Sequence, residues 1–436
     1  MNPLAVELNE QIKAANPHVY EMLSEFGREL YFPKGILAQS AEAKQKAHKL
    51  NATLGIGTEK RKAMHLSCVA DFFTEDDPDQ LFPYAPATGR ADLRAAWRDR
   101  QLEQNPRLGG KAGSLPIVTS ALTHGLSLAG DLFVDRGDTV LTADKLWGNY
   151  RLIYNTRYGA QIETFRLYSP SGAFDRNAFA EAVVRHSDKG KLIVLLNFPN
   201  NPCGFTPTPD DANAMRDAIV GAADQGRNIV VVCDDAYFGL IYDEAALQES
   251  VAGYLAGEHP RVFVVKLDGA TKEIFVWGFR VGFVTFFPGP SENADAMLAA
   301  LEKKVAGGIR SALSNGPMPS QTAVLHALRS GALQAQRAEK VELMRARFQE
   351  AARVLADPKY ADVWDVYPFN SGYFMCLRMK AVDAEPLRVH LLDKYGIGVI
   401  AAGERDVRVA LSCVEVEEVA MLYDTIREAA KELAGA

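Results

Sequence analysis

The chain has 436 residues, 48% of them hydrophobic and 24% charged, with 48 basic against 55 acidic side chains and a net charge of −7. That size and balance suit a soluble protein with a large core and more than one domain. The acidic balance disfavours nucleic acid as the main partner, because phosphate backbones select basic surfaces, but it leaves room for a small anion held by local Arg and Lys.

Five scattered cysteines without a CxxC pair suggest reduced thiols in a cytoplasmic protein. The eight histidines stand singly, so no metal site is expected. The start, MNPLAVELNEQIKAANPHVYE, is polar and shows no secretory signal. No uncharged apolar run approaches the roughly 20 residues of a membrane span, and no membrane partner is expected.

In chain order, residues 1–60 read as helical and too short to stand alone, so they are expected to pack with the C-terminal part. Two letter patterns there are set aside. LGIGTEK (54–60) begins like a dinucleotide fingerprint but lacks the third glycine and a following helix. Asn51-Ala52-Thr53 is a glycosylation sequon without a secretory context.

From about 112 to 290, short apolar runs alternate with helix-like segments. The runs are 115–120, 138–143, 161–167, 191–198, 228–234, 261–268 and 281–287. Several are near-continuous, the mark of strands buried on both faces of a mostly parallel sheet. The helical segments between them, such as 178–186 and 210–224, predict a three-layer α/β domain with a seven-stranded sheet. Beyond it, 320–356 reads as long helices, and 372–379, 396–401 and 406–412 as strands of a smaller α+β domain. The expected division is 61–325 for the large domain, and 1–60 with 326–436 for the small one.

In such sheets the ligand lies beyond the carboxyl ends of the strands. Ser120, Asn201, Asp234 and Lys272 all close or follow strand runs. Lys272 is placed in a short loop, DGATKE (268–273), with Arg280 eight residues on. Desolvation and nearby cations lower an amine from its usual pKa of about 10.4, leaving a neutral nucleophile and proton carrier. Arg280, among aromatic and apolar residues in GFRVGF, needs an anionic partner, and a phosphate or an internal acid would serve. Thr271 and Ser120 can add hydroxyls to a phosphate, and the helix opening after Ser120 favours an anion; Ser120 also fits a plain N-cap.

Asp234 ends the apolar run NIVVVCD, where a carboxylate is costly unless paired. A protonated ring nitrogen is a suitable partner. Asp235 is the neighbouring alternative on the opposite face, and Asp234 is preferred for its spacing to Tyr237. Tyr237 and Asn201 can reach a phenolic oxygen, and Trp147 either stacks on a flat ring or is simply buried. Arg408, in VRVALS, expects a carboxylate from a substrate or from an internal Asp or Glu. An amine for an aldehyde, an arginine for a phosphate and an acid for a ring nitrogen are what holds pyridoxal 5′-phosphate (PLP).

With these residues in view, the chain resembles the fold-type I, class I/II aminotransferases, and within them the aspartate/aromatic group, from LGIG (54–57) to Arg408. Lys272 and Arg280 match the family's lysine-to-arginine spacing, Asp234-Asp235-Ala236-Tyr237 its D-x-A-Y motif, and Asn201-Pro202-Cys203-Gly204 its N-P-x-G motif. Trp147 stands within W-x-N-Y, and Ser120-Ala121-Leu122 is similar to the phosphate loop, with Ala121 where glycine is common and Gly269 where a hydroxyl is usual. The resemblance implies that Tyr84 reaches a neighbouring subunit's phosphate and that Arg408 holds the substrate α-carboxylate. It also implies that Gly57, Trp147 and Asn201 line the substrate site. Arg310 in IRSALSNGP either reaches across a dimer to a distal carboxylate, with Ser314 beside it, or pairs with a local acid.

The expectation is therefore a homodimeric PLP-dependent aminotransferase acting on aspartate, glutamate or aromatic amino acids and 2-oxo acids. The alternatives are another PLP enzyme of this fold, such as a β-lyase or decarboxylase, or a non-catalytic regulatory protein that kept the fold.

Overall fold

The computed structural model describes residues 1–3, 6–7, 9–10, 36–53, 55–74, 78–186, 190–291 and 293–435. Seven strands form the main sheet: β1 (Ile117–Ser120), β2 (Thr139–Ala143), β3 (Gln161–Phe165), β4 (Lys191–Asn197), β5 (Asn228–Asp234), β6 (Val262–Gly269) and β7 (Val281–Phe287). Their order is β1-β7-β6-β5-β4-β2-β3. All neighbouring pairs are parallel except those made by β7, which runs antiparallel to β1 and β6.

The near-continuous apolar runs have the expected cause. Val230, Val232, Val265 and Leu267 point into one core, while Ile229, Val231 and Val264 point into another on the opposite face. Helix α2 (Ala121–Phe133) covers the first face through Leu122 and Leu126. Helices α3 (Arg176–His186) and α4 (Pro209–Asp224) cover the second through Phe179, Val183, Met215 and Ile219. A sheet clothed on both sides has no polar face, so its strands cannot alternate. Helix α4 starts where Pro209 follows Thr208, whose hydroxyl accepts from Asp211 N in a capping box. Helix α1 (Ala91–Gln104) places Trp97 in a stack on Phe283 of β7, ring centroids 4.1 Å apart.

The smaller α+β part has a four-stranded antiparallel sheet: β8 (Trp364–Val366), β9 (Phe374–Met379), β10 (Ile400–Ala401) and β11 (Asp406–Ala410), ordered β8-β9-β11-β10. Its strands are shorter than the apolar runs. Gly372, at φ +73°, holds a turn conformation just before β9, and Leu411–Cys413 turn into a 3-10 helix after β11. The 396–401 run splits: Ile397–Gly398 pairs in parallel with Leu50–Asn51, and Ile400–Ala401 joins β11. Ala410 N also donates to Ala52 O, so residues 50–52 dock on the C-terminal region. The helices expected within 11–35, and Leu54 of the LGIG segment, lie outside the described residues. The 320–356 stretch is broken into Met318–Arg329 and Leu333–Leu355. All five cysteines are buried and outside any disulfide. Among the described residues, no helix is long and apolar enough to cross a membrane, and no cluster of metal-ligand type occurs.

Candidate active site

The carboxyl ends of β1, β5 and β6, with the loop after β4, surround a cavity of ≈ 280 Å³. Ala121, Leu122, Trp147, Asn201, Asp234, Tyr237, Thr271, Lys272, Arg280 and Arg408 all line it. Residues up to 368 positions apart in sequence, from Ser40 to Arg408, thus converge at the sheet edge expected of an open α/β fold.

Lys272 lies in one turn of helix, Ala270–Glu273, not in a loop. The turn forms because both ends of Glu273 are held. Its carboxylate pairs with the buried Arg100 at 2.6 Å, and its carbonyl accepts from Arg337 Nε at 3.0 Å. Lys272 is half-buried and open to the cavity, with Nζ 4.6 Å from the Tyr237 ring centre. Burial, opposed by Asp234 and aided by Arg280, pulls its amine down to about 8. A useful fraction is then neutral near physiological pH.

Asp234 is 2% exposed. Burial pushes its carboxyl above the usual range, opposed chiefly by the Tyr150 hydroxyl, then by Lys272 and by the Ala236 N–H. Tyr150 Oη donates to Asp234 Oδ2 at 2.5 Å, and Ala236 N donates to Oδ1 at 3.1 Å. Asp235 faces the other way. Its Oδ2 accepts from Lys266 Nζ at 2.6 Å and from Ser250 Oγ at 2.7 Å, inside a buried cluster completed by Asp268. Strand alternation commits one acid to the core and turns the other toward the cavity.

The same cavity holds an anion cradle formed by Ala121, Thr271 and Arg280. Among the described residues no carboxylate pairs with Arg280, whose guanidinium donates to Trp277 O at 3.4 Å. Thr271 Oγ1 is buried with no hydrogen-bond partner. Ala121, where glycine is common, has φ +62°, and Arg280 has φ +55°. These two left-handed residues are tied by Ala121 N donating to Arg280 O at 3.0 Å. Strain of this kind persists where the surroundings over-determine it, and it clusters at ligand sites. Gly282 permits the approach: a Cβ there would come within 2.6 Å of the Ala121 carbonyl carbon. Ser120 closes β1 but does not line the cavity; its backbone N donates to His124 Nδ1, and Thr123 supplies the neighbouring hydroxyl residue instead.

Arg408 is 1% exposed. It donates to Asn201 Oδ1 at 3.2 Å and to Thr53 O at 3.1 Å, and its guanidinium lies 4.0 Å from the Phe374 ring centre. No Asp or Glu pairs with it among the described residues, and its Nε is buried without a partner. Of the two partners expected for it, the internal acid is absent there. The Asn201 loop is set by Gly204, at φ +69°, where a Cβ would fall 1.9 Å from Phe374 O.

Besides Ser120, three expected residues are not brought to this cavity. Gly57 is buried against Met64, and Gly55 lines the cavity in its place. Tyr84 is 89% exposed. Arg310 is exposed and donates to Ser314 Oγ at 2.5 Å, with no acid beside it among the described residues. Sequence reasoning also missed contributors. Tyr150 carried a signal, three residues after Trp147 in WGNY. So did Asn197, a polar residue closing a buried run as Asp234 does; its Oδ1 accepts from Asn201 N at 2.8 Å.

A partly neutral lysine beside a buried acid, with an arginine that lacks an acid partner among the described residues and an orphaned threonine hydroxyl in the same cavity, has the chemistry that fits PLP. Residues 54–426 match the model of the family described as aminotransferase class I and II, and the chain belongs to that family. The chain is 22% identical over 358 residues to the probable N-acetyl-LL-diaminopimelate aminotransferase of Bacillus subtilis, covering 80% of each chain. It is 25% identical over 259 residues to the mitochondrial aspartate aminotransferase P2 of Lupinus angustifolius, covering 57% of this chain and 54% of that one. Among solved structures, an aminotransferase from Anaerococcus prevotii superposes with a TM-score of 0.77 at 22% identity, over 91% of this chain and 96% of that one. The cytoplasmic aspartate aminotransferase of Saccharomyces cerevisiae does so at 0.77 and 17%, over 96% and 100%.

The family's cofactor is PLP, and the residues present fit it. Lys272 would hold it covalently, Asp234 would face its ring nitrogen and Tyr237 its phenolic oxygen. Thr271, Arg280 and the start of α2 would take its phosphate.

Proposed function

We propose that this aminotransferase moves the amino group of an acidic or aromatic L-amino acid to a 2-oxo acid, as a homodimer with shared active sites. One observation carries the reading: Lys272 and Arg408 line the same cavity, and among the described residues neither is neutralised by an acid salt bridge. Arg408 binds the substrate's α-carboxylate and so orients its Cα–H bond toward the lysine. When bound, PLP supplies an electron sink for the carbon that loses its proton. Lys272, once free as an amine, takes that proton and returns it elsewhere. Asp234, whose ionised form the Tyr150 hydroxyl favours, would stabilise a positive charge beside it. Trp147, Tyr237 and Phe374 give the cavity aromatic walls that exclude water and suit aromatic side chains.

Acidic donors are supported by relatives named for aspartate and 2-aminoadipate. The exposed Tyr84 and Arg310 support the dimer, since neither serves the cavity of its own chain. The test is a panel of amino donors against 2-oxoglutarate, repeated with Arg310→Ala. Transfer to the oxo acid with ping-pong kinetics is expected. Pyruvate and ammonia formed without an acceptor would contradict it, and unchanged activity on dicarboxylates in Arg310→Ala would remove the role of Arg310.

A further inference from the structure

Lys145 and Asp406 form an ion pair between the two sheets that the cofactor chemistry does not use. Lys145 stands in the loop after β2, two residues before Trp147; Asp406 opens β11, two residues before Arg408. Lys145 Nζ lies 2.7 Å from Asp406 Oδ2, with the side chains only 19% and 15% exposed. Tyr367 Oη donates to Asp406 Oδ1 at 3.0 Å, and its ring centre lies 4.7 Å from Lys145 Nζ. Tyr168, from the large-sheet side, stacks on Tyr367 at 5.5 Å.

These contacts close a circuit. Asp406 and Arg408 share one face of β11, since strand residues two apart point the same way. Arg408 bonds Asn201, and the adjacent Asn200 donates from Nδ2 to the Lys145 carbonyl at 3.0 Å. The loop bearing Trp147 is therefore fastened to the strand bearing Arg408 at two points, one ionic and one through the asparagines. The pair also lines a neighbouring cavity of ≈ 580 Å³ that shares Trp147 and Asn201 with the cofactor cavity. A shift of β11 by an ångström would move the guanidinium relative to Lys272, and misplacement on that scale weakens orientation strongly.

We infer that Lys145 and Asp406, braced by Tyr367, are positioning residues that hold Arg408 at the distance from Lys272 required to bind a substrate carboxylate. The inference rests on the reading of Arg408 as the carboxylate-binding group.

The test uses the PLP-loaded protein and the variants Lys145→Met, Asp406→Asn, Tyr367→Phe and Lys145→Arg, with the Lys145→Met/Asp406→Asn double variant. Two readouts are taken: KM and kcat for amino donors, and the Kd of succinate and 3-phenylpropanoate, carboxylates that carry no amino group. Expected are a cofactor absorbance like the parent's, a KM and carboxylate Kd raised about tenfold in each charge-removing variant, and kcat within about twofold. The double variant should be no worse than the singles, Tyr367→Phe intermediate, and Lys145→Arg near the parent. Unchanged KM and Kd in folded Lys145→Met or Tyr367→Phe would overturn the inference, as would a fall in kcat with KM unaltered. The carboxylate titration reads the position of Arg408 even if the parent transfers no amino group, so the two failures are distinguishable. If Lys145→Met does not fold, Tyr367→Phe decides.

Discussion

The hydroxyl of Tyr150 donates to the buried carboxylate of Asp234 at 2.5 Å, so the acid lining the cavity has a neutral partner in place. Burial alone favours the protonated acid; a hydrogen bond to the ionised form opposes it. The same burial holds the Tyr150 phenol well above its usual range, which keeps it a donor. Tyr150→Phe is expected to raise the Asp234 pKa further and to weaken PLP binding about tenfold, a typical cost for a hydrogen bond to a charged group. Equilibrium dialysis of the cofactor measures it; unchanged affinity would show that Tyr150 merely fills space.

The Lys272 amine, drawn down to about 8, gains its neutral form as pH rises through that value. Capture of PLP by cofactor-free protein should therefore quicken with pH and level off above about 8. Arg280 lowers this pKa and Asp234 raises it. Arg280→Met should move the midpoint up and Asp234→Asn should move it down, as stopped-flow absorbance would record.

Arg408→Leu should cut kcat/KM for amino donors roughly a hundredfold, mostly through KM, because a charge-assisted pair with the α-carboxylate is lost. Arg408→Lys should not restore it, since an ammonium lacks the planar fork. Steady-state kinetics with one fixed oxo acid decides the point.

Lys266 is wholly buried between Asp235 and Asp268. Lys266→Met leaves both acids without their cation and should destabilise the fold by about 3–5 kcal/mol at neutral pH. Burial already raises the Asp235 carboxyl to about 6 with the lysine present. A carboxyl raised in the folded state costs nothing below its unfolded pKa, where both states are protonated, and costs stability as pH rises through the folded value. The deficit should therefore be small near pH 4 and grow toward pH 7, as denaturant titrations at each pH would show.

Much of this was legible in the residues. Unbroken β-branched runs announced a sheet covered on both faces, and Asp234, Lys272 and Arg408 stood out as charges at or in apolar strands. What escaped was tertiary. Tyr150 reads as one more buried aromatic until its hydroxyl is seen on Asp234. Ser120 and Thr123 are equal as hydroxyls in sequence, and only the turn at Ala121 decides which faces the cavity. Gly55 and Gly57 are equal in the sequence, and only the folded chain buries one and brings the other to the cavity. Tyr84 and Arg310 have no place to act within one chain, and the partner that would give them one is not written in local pattern.

The most direct test is to reduce the PLP-loaded protein with borohydride and locate the cofactor by peptide mass mapping. The account predicts a single label on Lys272, absent in Lys272→Ala. A label on Lys266 or Lys145, or none on a protein that still transfers amino groups, would contradict it.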